Sequence, residues 1–491
     1  MSSFRQFRAA RLLTCCLFAL LGMTIRGECQ SPYGSYRDGQ TSGHSVSAMS
    51  YGGYNATSGY NPAVNPGAPQ YGNAAMGETY YENTPSWHSA PPQDSWSEAG
   101  MNRASGWNRP ISSVIRLEPE TTRPMLDFQN RQGDKQLILL ENQPSGDAYP
   151  SVALGAQFRM SAMVARTNTA DHFPYLGRFP TDFAGHSATD LRILQANQAG
   201  ILNFTPWATG YFETLFSDVF SFSSFKQGSF QVRQAYVVFG NLDVTPFYMF
   251  LGKKNVSFGD MGTLSPFTQS VVWHYFAPLA EQGGIGYAAN GFNFTVTGIN
   301  GLRGIRVVDS SQKGHVNNFA VNGIYTWNRG EDFSWSVGAG YLHGTIYDGQ
   351  TAEHLDPGVT GPLNSAWDVN THMQWGPMHF NGEFITTVNP WPVTGHEVSA
   401  WHAEMAYDAN TINLPLWLSL SYGEGVQGAR GTEFQSNRQF VAGAAWTLSP
   451  SSQLTFEYVR SMGFAPLLGI TTVSDQSVRQ NSLIFGLVLT L

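Results

Sequence analysis

The sequence predicts an all-β chain, a transmembrane antiparallel β-barrel of about sixteen strands, on three observations. Charged residues make up only 13% of its 491 residues, about half the roughly 25% of ordinary globular chains. Glycine, at 52 residues, and aromatic side chains, at 13%, stand high. A mean hydropathy of -0.21 fits such a barrel, because strands that alternate apolar and polar residues never look hydrophobic on average. The third observation is the final stretch, where Leu483, Phe485, Leu487, Leu489 and Leu491 share one face and Ser482, Gly486 and Thr490 share the other with Ile484 and Val488. That is the period-two pattern of a strand. An apolar strand edge running to the carboxylate invites aggregation in a soluble sandwich, whereas a barrel closes it against the first strand.

No apolar run reaches the roughly 18 residues that a spanning helix requires. Arg5, Arg8 and Arg11 precede the apolar run Leu12 to Ile25, so residues 1–29 read as a signal peptide. Cleavage after Gly27 and after Cys29 remain alternatives. Cys15 and Cys16 leave with the peptide, so the mature chain keeps one cysteine at most and can form no internal disulfide or cysteine metal cluster. Residues 30–147 form a low-complexity, largely disordered periplasmic extension. Up to about Trp107 they are rich in Gly, Ser, Pro, Asn and Tyr, with too few aliphatic residues to offset chain entropy. Within 111–147 the run Gln136-Leu137-Ile138-Leu139-Leu140 suggests one helix or strand. The extension does not look able to build a plug of domain size.

The barrel is expected over 148–491, with strands at 151–166, 188–204, 207–218, 229–239, 246–254, 281–289, 292–299, 316–327, 332–346, 365–375, 378–388, 397–408, 412–423, 437–448, 453–463 and 479–491. Short connections alternate with long ones, and Asn290-Gly291 is the strongest hairpin signal because both residues accept positive φ. An even strand count leaves both chain ends on the periplasmic side. Gly486, Leu489 and Leu491 resemble the C-terminal signal of bacterial outer-membrane barrels, although those usually end in Phe.

Sixteen strands leave a water-filled lumen. A charge facing lipid at the midplane costs on the order of 2 to 4 kcal/mol, so alternation turns Arg159, Glu213, Glu383, His402, Glu404 and Glu457 inward as pore-lining candidates. Their alternative roles are simply to wet the lumen or to contact a ligand. The directions of Arg233, Lys253 and Lys254 stay open because their strands alternate poorly. The third long loop, 255–280, carries the constriction candidates Asp260, Phe267, Trp273, His274 and Tyr275. Folded inward, it would make an aromatic constriction suited to flat solutes; packed on the rim, it would not.

The run Gln234-Ala235-Tyr236-Val237-Val238-Phe239-Gly240-Asn241-Leu242-Asp243-Val244-Thr245-Pro246-Phe247-Tyr248 resembles the hairpin of the LbtU-type siderophore porins. Gly252, Val256-Ser257-Phe258-Gly259 and Ser265-Pro266-Phe267-Thr268 continue the likeness, and so do Phe456-Glu457-Tyr458-Val459 with Gly463-Phe464-Ala465-Pro466-Leu467. The resemblance implies a plug-less outer-membrane barrel linked to ferric siderophore uptake and transfers no siderophore-binding residue. The alternatives are a general or anion-selective porin and a structural or adhesive barrel. Expected partners are outer-membrane lipid, the barrel-assembly machinery and a small solute, with a homotrimer left open. A net charge of -8 gives no basic face for nucleic acid. Enzyme motifs fail: there is no G-x-S-x-G elbow, and His396-Glu397 with His402 has the wrong spacing for a zinc helix. No cofactor or metal site is expected.

Overall fold

The computed structural model describes residues 115–130, 134–144, 149–175, 185–217, 229–300, 316–330, 332–348, 363–432, 434–464 and 477–491. The expected signal peptide, the extension up to 114 and the last-loop residues Ala465-Pro466-Leu467 lie outside them.

A short strand β1 (Ile115–Leu117) leads into the helices α1 (Pro119–Leu126) and α2 (Gln136–Glu141). The barrel strands follow: β2 (Ser151–Thr167), β3 (Ser187–Thr205), β4 (Ala208–Ser217), β5 (Ser229–Gly240) and β6 (Phe247–Asn255). After the loop helix α3 (Val271–Phe276) come β7 (Leu279–Ala289), β8 (Phe292–Asn300), β9 (Val316–Asn328), β10 (Phe333–Leu342), β11 (Ala366–Trp375) and β12 (Met378–Thr387). The wall ends with β13 (Ser399–Asp408), β14 (Leu416–Val426), β15 (Asn437–Ser449), β16 (Ser452–Gly463) and β17 (Arg479–Thr490).

Each of β2 to β17 pairs antiparallel with its sequence neighbours, and β17 returns to β2 from Gln480↔Thr167 to Thr490↔Gln157. The sheet is therefore a closed sixteen-strand barrel with no free edge around its girth. Asn290 and Gly291 take φ of 54° and 81°, as the two-residue turn between β7 and β8 requires.

Exposure along the strands is the reverse of a soluble protein's. Phe158, Leu251, Phe294, Val337, Phe456 and Phe485 are exposed, while Ser161, Asn197, Thr297, Asn322, Thr455 and Gln480 are buried. Apolar side chains thus form the outer surface and polar ones face inward. With each wall strand laddered to both neighbours around the ring, this is the arrangement that a bilayer tolerates.

The three largest departures from the expected boundaries each have a local reason. β10 ends at Leu342 because Asn318 and Asn364 take over the backbone pairing: Gly344 N–H donates to Asn318 Oδ1 at 2.8 Å, and Thr345 N–H to Asn364 O at 2.8 Å. β14 begins at Leu416 because a 3-10 turn, Ala409–Ile412, intervenes, capped by Asp408 and closed by Asn413 at φ 60°. The third concerns the stretch grouped with the extension. Its described residues after β1, in Pro119–Leu126 and Gln136–Glu141, are folded against the inner wall.

β1 runs parallel to β2, from Ile115↔Val152 to Leu117↔Leu154. It fills the edge that β17 leaves vacant, since the C-terminal residue Leu491 already pairs with Ala156, in N–H···O bonds of 2.8 and 3.1 Å. Beyond it, Met125, Leu126, Leu139 and Leu140 pack against Ala199, Ile201, Tyr211, Tyr236, Tyr248 and Phe250 on the inner faces of β3 to β6. The run Gln136–Leu140 is thus a helix, and what it buries against is the barrel interior.

Candidate lumen constriction

The connection between β6 and β7 turns into the barrel and crosses its inner wall. Its backbone between Asp260 and Thr268 belongs to no helix or strand, so its N–H groups need partners. Three inward carboxylates supply them. Glu383 on β12 accepts from Asp260 N–H at 2.9 Å and Met261 N–H at 2.7 Å. Glu404 on β13 accepts from Leu264 N–H at 2.5 Å and Thr263 Oγ1 at 2.8 Å, and also from Ser421 Oγ at 2.8 Å. Glu457 on β16 accepts from Phe267 N–H at 2.7 Å, and from Thr268 N–H at 3.0 Å and Thr268 Oγ1 at 2.5 Å.

As the loop advances, then, it is clipped to one strand after another around the wall. Amides complete the attachment: Asn381 Nδ2 donates to Gly262 O at 3.0 Å and Gln439 Nε2 to Gln269 O at 2.9 Å. Gly259 is needed at the first clip. Its φ is +69°, and a Cβ there would stand 2.6 Å from Glu383 Oε1, so only glycine allows the approach.

Arg159 on β2 donates from Nη2 to Phe267 O at 3.1 Å. Its guanidinium lies over the rings of Phe128 and Phe267, at 4.5 and 4.7 Å from their centroids. Glu213 on β4 stands apart from the loop and is held within the wall by Asn197 Nδ2, by Gln234 Nε2 at 3.0 Å and by Tyr211 OH at 3.3 Å. His402 on β13 is 2% exposed, with no hydrogen-bond partner at either ring nitrogen among the described residues. All six side chains named from alternation face inward and are buried. Three of them, Glu383, Glu404 and Glu457, neither wet an open lumen nor present themselves to a solute, because their oxygens are engaged by the loop.

The aromatic residues of the loop are likewise differently employed. Phe267, Trp273, His274 and Tyr275 are all buried. Ser270 caps α3 by accepting from Trp273 N–H at 3.1 Å, and Trp273 and Tyr275 join a core with Ile299, Leu342, Ile385, Trp391 and Ala400 from the far wall. Tyr347 OH donates to Tyr275 O at 2.8 Å. The rings therefore fasten the loop by apolar burial and do not form an exposed aromatic ring at the constriction. Burial raises the Asp260 carboxyl above its usual range, with His372 opposing the shift.

Arg233 and Lys254 also face inward. Arg233 does so because the pairing of β4 with β5 slips between Glu213↔Gln234 and Thr214↔Val232. It is the extra residue of a β-bulge, and both guanidinium NH2 groups reach Asn255 Oδ1 at 3.1 Å. Lys253 instead donates to the Val232 carbonyl at 2.9 Å and stays partly exposed.

Composition gave little sign of the second insert, α1 to α2. Gln129 is its contact with the loop: Nε2 donates to Ser265 O at 2.6 Å, and its carbonyl accepts from Thr263 N–H at 3.0 Å. Gln269 Nε2 returns a bond of 2.6 Å to Phe128 O, and the Phe128 and Trp273 rings meet at 6.0 Å between centroids. On the wall side, Asp134 accepts from Asn293 Nδ2 at 2.7 Å, and Gln143 Nε2 donates to Gly240 O at 3.1 Å. Beside both inserts, at the barrel end with the short turns, a cavity of about 370 Å³ remains.

Fold and site together define a sixteen-strand barrel narrowed from within by a clipped loop and an N-terminal insert. Residues 209–343 match the family described as "Protein of unknown function (DUF3573)". A "UPF0422 protein" of Coxiella burnetii (strain RSA 493 / Nine Mile phase I) is 22% identical over 322 residues, which is 63% of this chain and 66% of that relative, just under two thirds of its length. Among solved structures, the outer membrane channel DcaP of Acinetobacter baumannii is similar at 13% identity and a TM-score of 0.47, covering 71% of this chain and 99% of that one. The anion-selective porin from Comamonas acidovorans is similar at 12% identity and a TM-score of 0.47, covering 70% and 99%.

Proposed function

We propose that the chain is an outer-membrane channel of the porin type, taking up a small solute. One observation carries the reading. The backbone from Asp260 to Thr268 is stretched across the inner wall and fixed by Glu383, Glu404 and Glu457, which narrows a lumen that sixteen strands would otherwise leave wide. The apolar outer belt supports contact with outer-membrane lipid, and the alternating apolar face of β17 (Leu483, Phe485 and Leu489) supports insertion by the barrel-assembly machinery. Residues 1–29 act as the export signal, and 30–114 as a periplasmic extension that leads to the insert. The likeness of 234–268 to the LbtU-type siderophore porins favours a ferric siderophore as the solute.

Reconstitution in planar bilayers tests this. Stepwise conductance that a ferric siderophore narrows is the expected outcome, with phosphate and sugars as controls. A correctly folded, heat-modifiable barrel that gives no steps at any voltage would end the channel reading. Steps indifferent to siderophore would remove only the solute.

A further inference from the structure

We propose that the cavity at the short-turn end is a binding site for a small organic carboxylate. The cavity holds about 370 Å³ between α1, the loop at Pro266 and the ends of β2 and β15 to β17, within the range of small-molecule sites. Two guanidinium groups line it, from Arg123 and Arg159, against one carboxylate, Asp127.

Arg159 is 2% exposed, and its Nε has no hydrogen-bond partner. Among the described residues its one hydrogen bond is the one to the Phe267 carbonyl. Arg123 gives a long 3.3 Å bond to Ser451 Oγ and likewise leaves Nε unpartnered. Among the described residues neither group forms an ion pair. Asp127 and Glu457 both attract the Arg159 guanidinium at a distance, but their nearer partners are the Gln129 N–H, at 3.0 Å from Asp127 Oδ1, and the loop, which engages Glu457.

Two guanidinium groups against the one carboxylate leave the lining with a positive charge in excess, and planar guanidinium donors match a carboxylate's two oxygens. The rest of the lining suits an organic anion more than a bare ion. Gln157 and Thr490, joined by a 3.3 Å bond from Gln157 Nε2 to Thr490 Oγ1, give a polar edge, while Pro124, Pro266 and Val488 give apolar walls. That this carboxylate is also a solute of the channel rests on the reading above; the site itself does not.

The test is calorimetric titration of the full barrel in detergent with succinate, and separately with inorganic phosphate, at low salt. Saturable succinate binding is expected, weakened about ten-fold or more in Arg123→Gln, since a charge-assisted bond is worth roughly a factor of ten or above. Arg159→Lys, which keeps charge but loses the fork, is expected to weaken it as well. Heat-modifiable migration of both variants establishes that the barrel is intact. Absence of saturable binding by the intact protein, or binding unchanged in both variants, overturns the proposal. Phosphate binding tighter than succinate overturns the choice of an organic ligand. Binding without conductance would retain the site and remove the channel reading; conductance without binding would do the opposite.

Discussion

Apolar burial holds both inserts to the inner wall, and only the loop is clipped to it by carboxylates as well. On β2 to β6 the wall presents Tyr211, Tyr236, Tyr248 and Phe250, and α1 and α2 meet it with Met125, Leu126, Leu139 and Leu140. From β12 to β16 the wall presents Glu383, Glu404 and Glu457, and the loop meets them with backbone N–H groups. Apolar burial is non-directional and roughly proportional to area, whereas a carboxylate accepting two N–H groups fixes position. The N-terminal insert is therefore seated by surface, and the loop is set in register. What the contrast teaches is that each has its own anchorage on the wall, with Phe128 and Gln129 joining the two.

The largest expected effect is from removing the N-terminal insert. Deleting residues 115–143 should raise single-channel conductance severalfold while the loop stays clipped; unchanged conductance would place the insert off the permeation path. Next comes the double substitution Glu404→Gln with Glu457→Gln. Each change weakens charge-assisted hydrogen bonds worth about 1.5 to 3 kcal/mol, so the loop should fluctuate and open-channel noise should rise, with little change in the barrel's melting. Gly259→Ala strains one clip by its φ of +69° and its contact with Glu383. A smaller rise in noise is expected there, and current as quiet as wild type would argue that the approach at Gly259 is not needed. The smallest effect is from Leu139→Ala. Trimming a buried leucine typically costs about 2 to 5 kcal/mol, taken here from docking of the insert, so protease cleavage within 119–143 should quicken while the barrel core stays protected.

Much of this fold was legible in the sequence because a barrel strand writes its orientation in alternation. Arg159, Glu213, Glu383, His402, Glu404 and Glu457 all face inward as their parity required, opposite exposed Phe158, Phe212, Phe384, Trp401 and Phe456. Arg233 escaped the rule because a bulge, which has no signature in one sequence, turns it inward beside Gln234. The site was half legible. Alternation tells which way a carboxylate points and nothing about what meets it, and the partners of Glu383, Glu404 and Glu457 are backbone N–H groups more than a hundred residues away. The loop's rings suggested recognition because aromatic side chains look alike whether they pack or bind; Trp273 and Tyr275 pack. The insert was the hardest part. Its helices bury against a wall whose inward tyrosines only the closed barrel brings together, so Gln136–Leu140 was visible as an apolar run without a destination.

The claim everything else rests on is that the loop between β6 and β7 lies inside the barrel and limits passage. Single-channel recording of a variant lacking residues 264–275, inserted as a heat-modifiable barrel, addresses it most directly. A conductance several times that of the intact chain is predicted. A conductance equal to the intact chain's would contradict it.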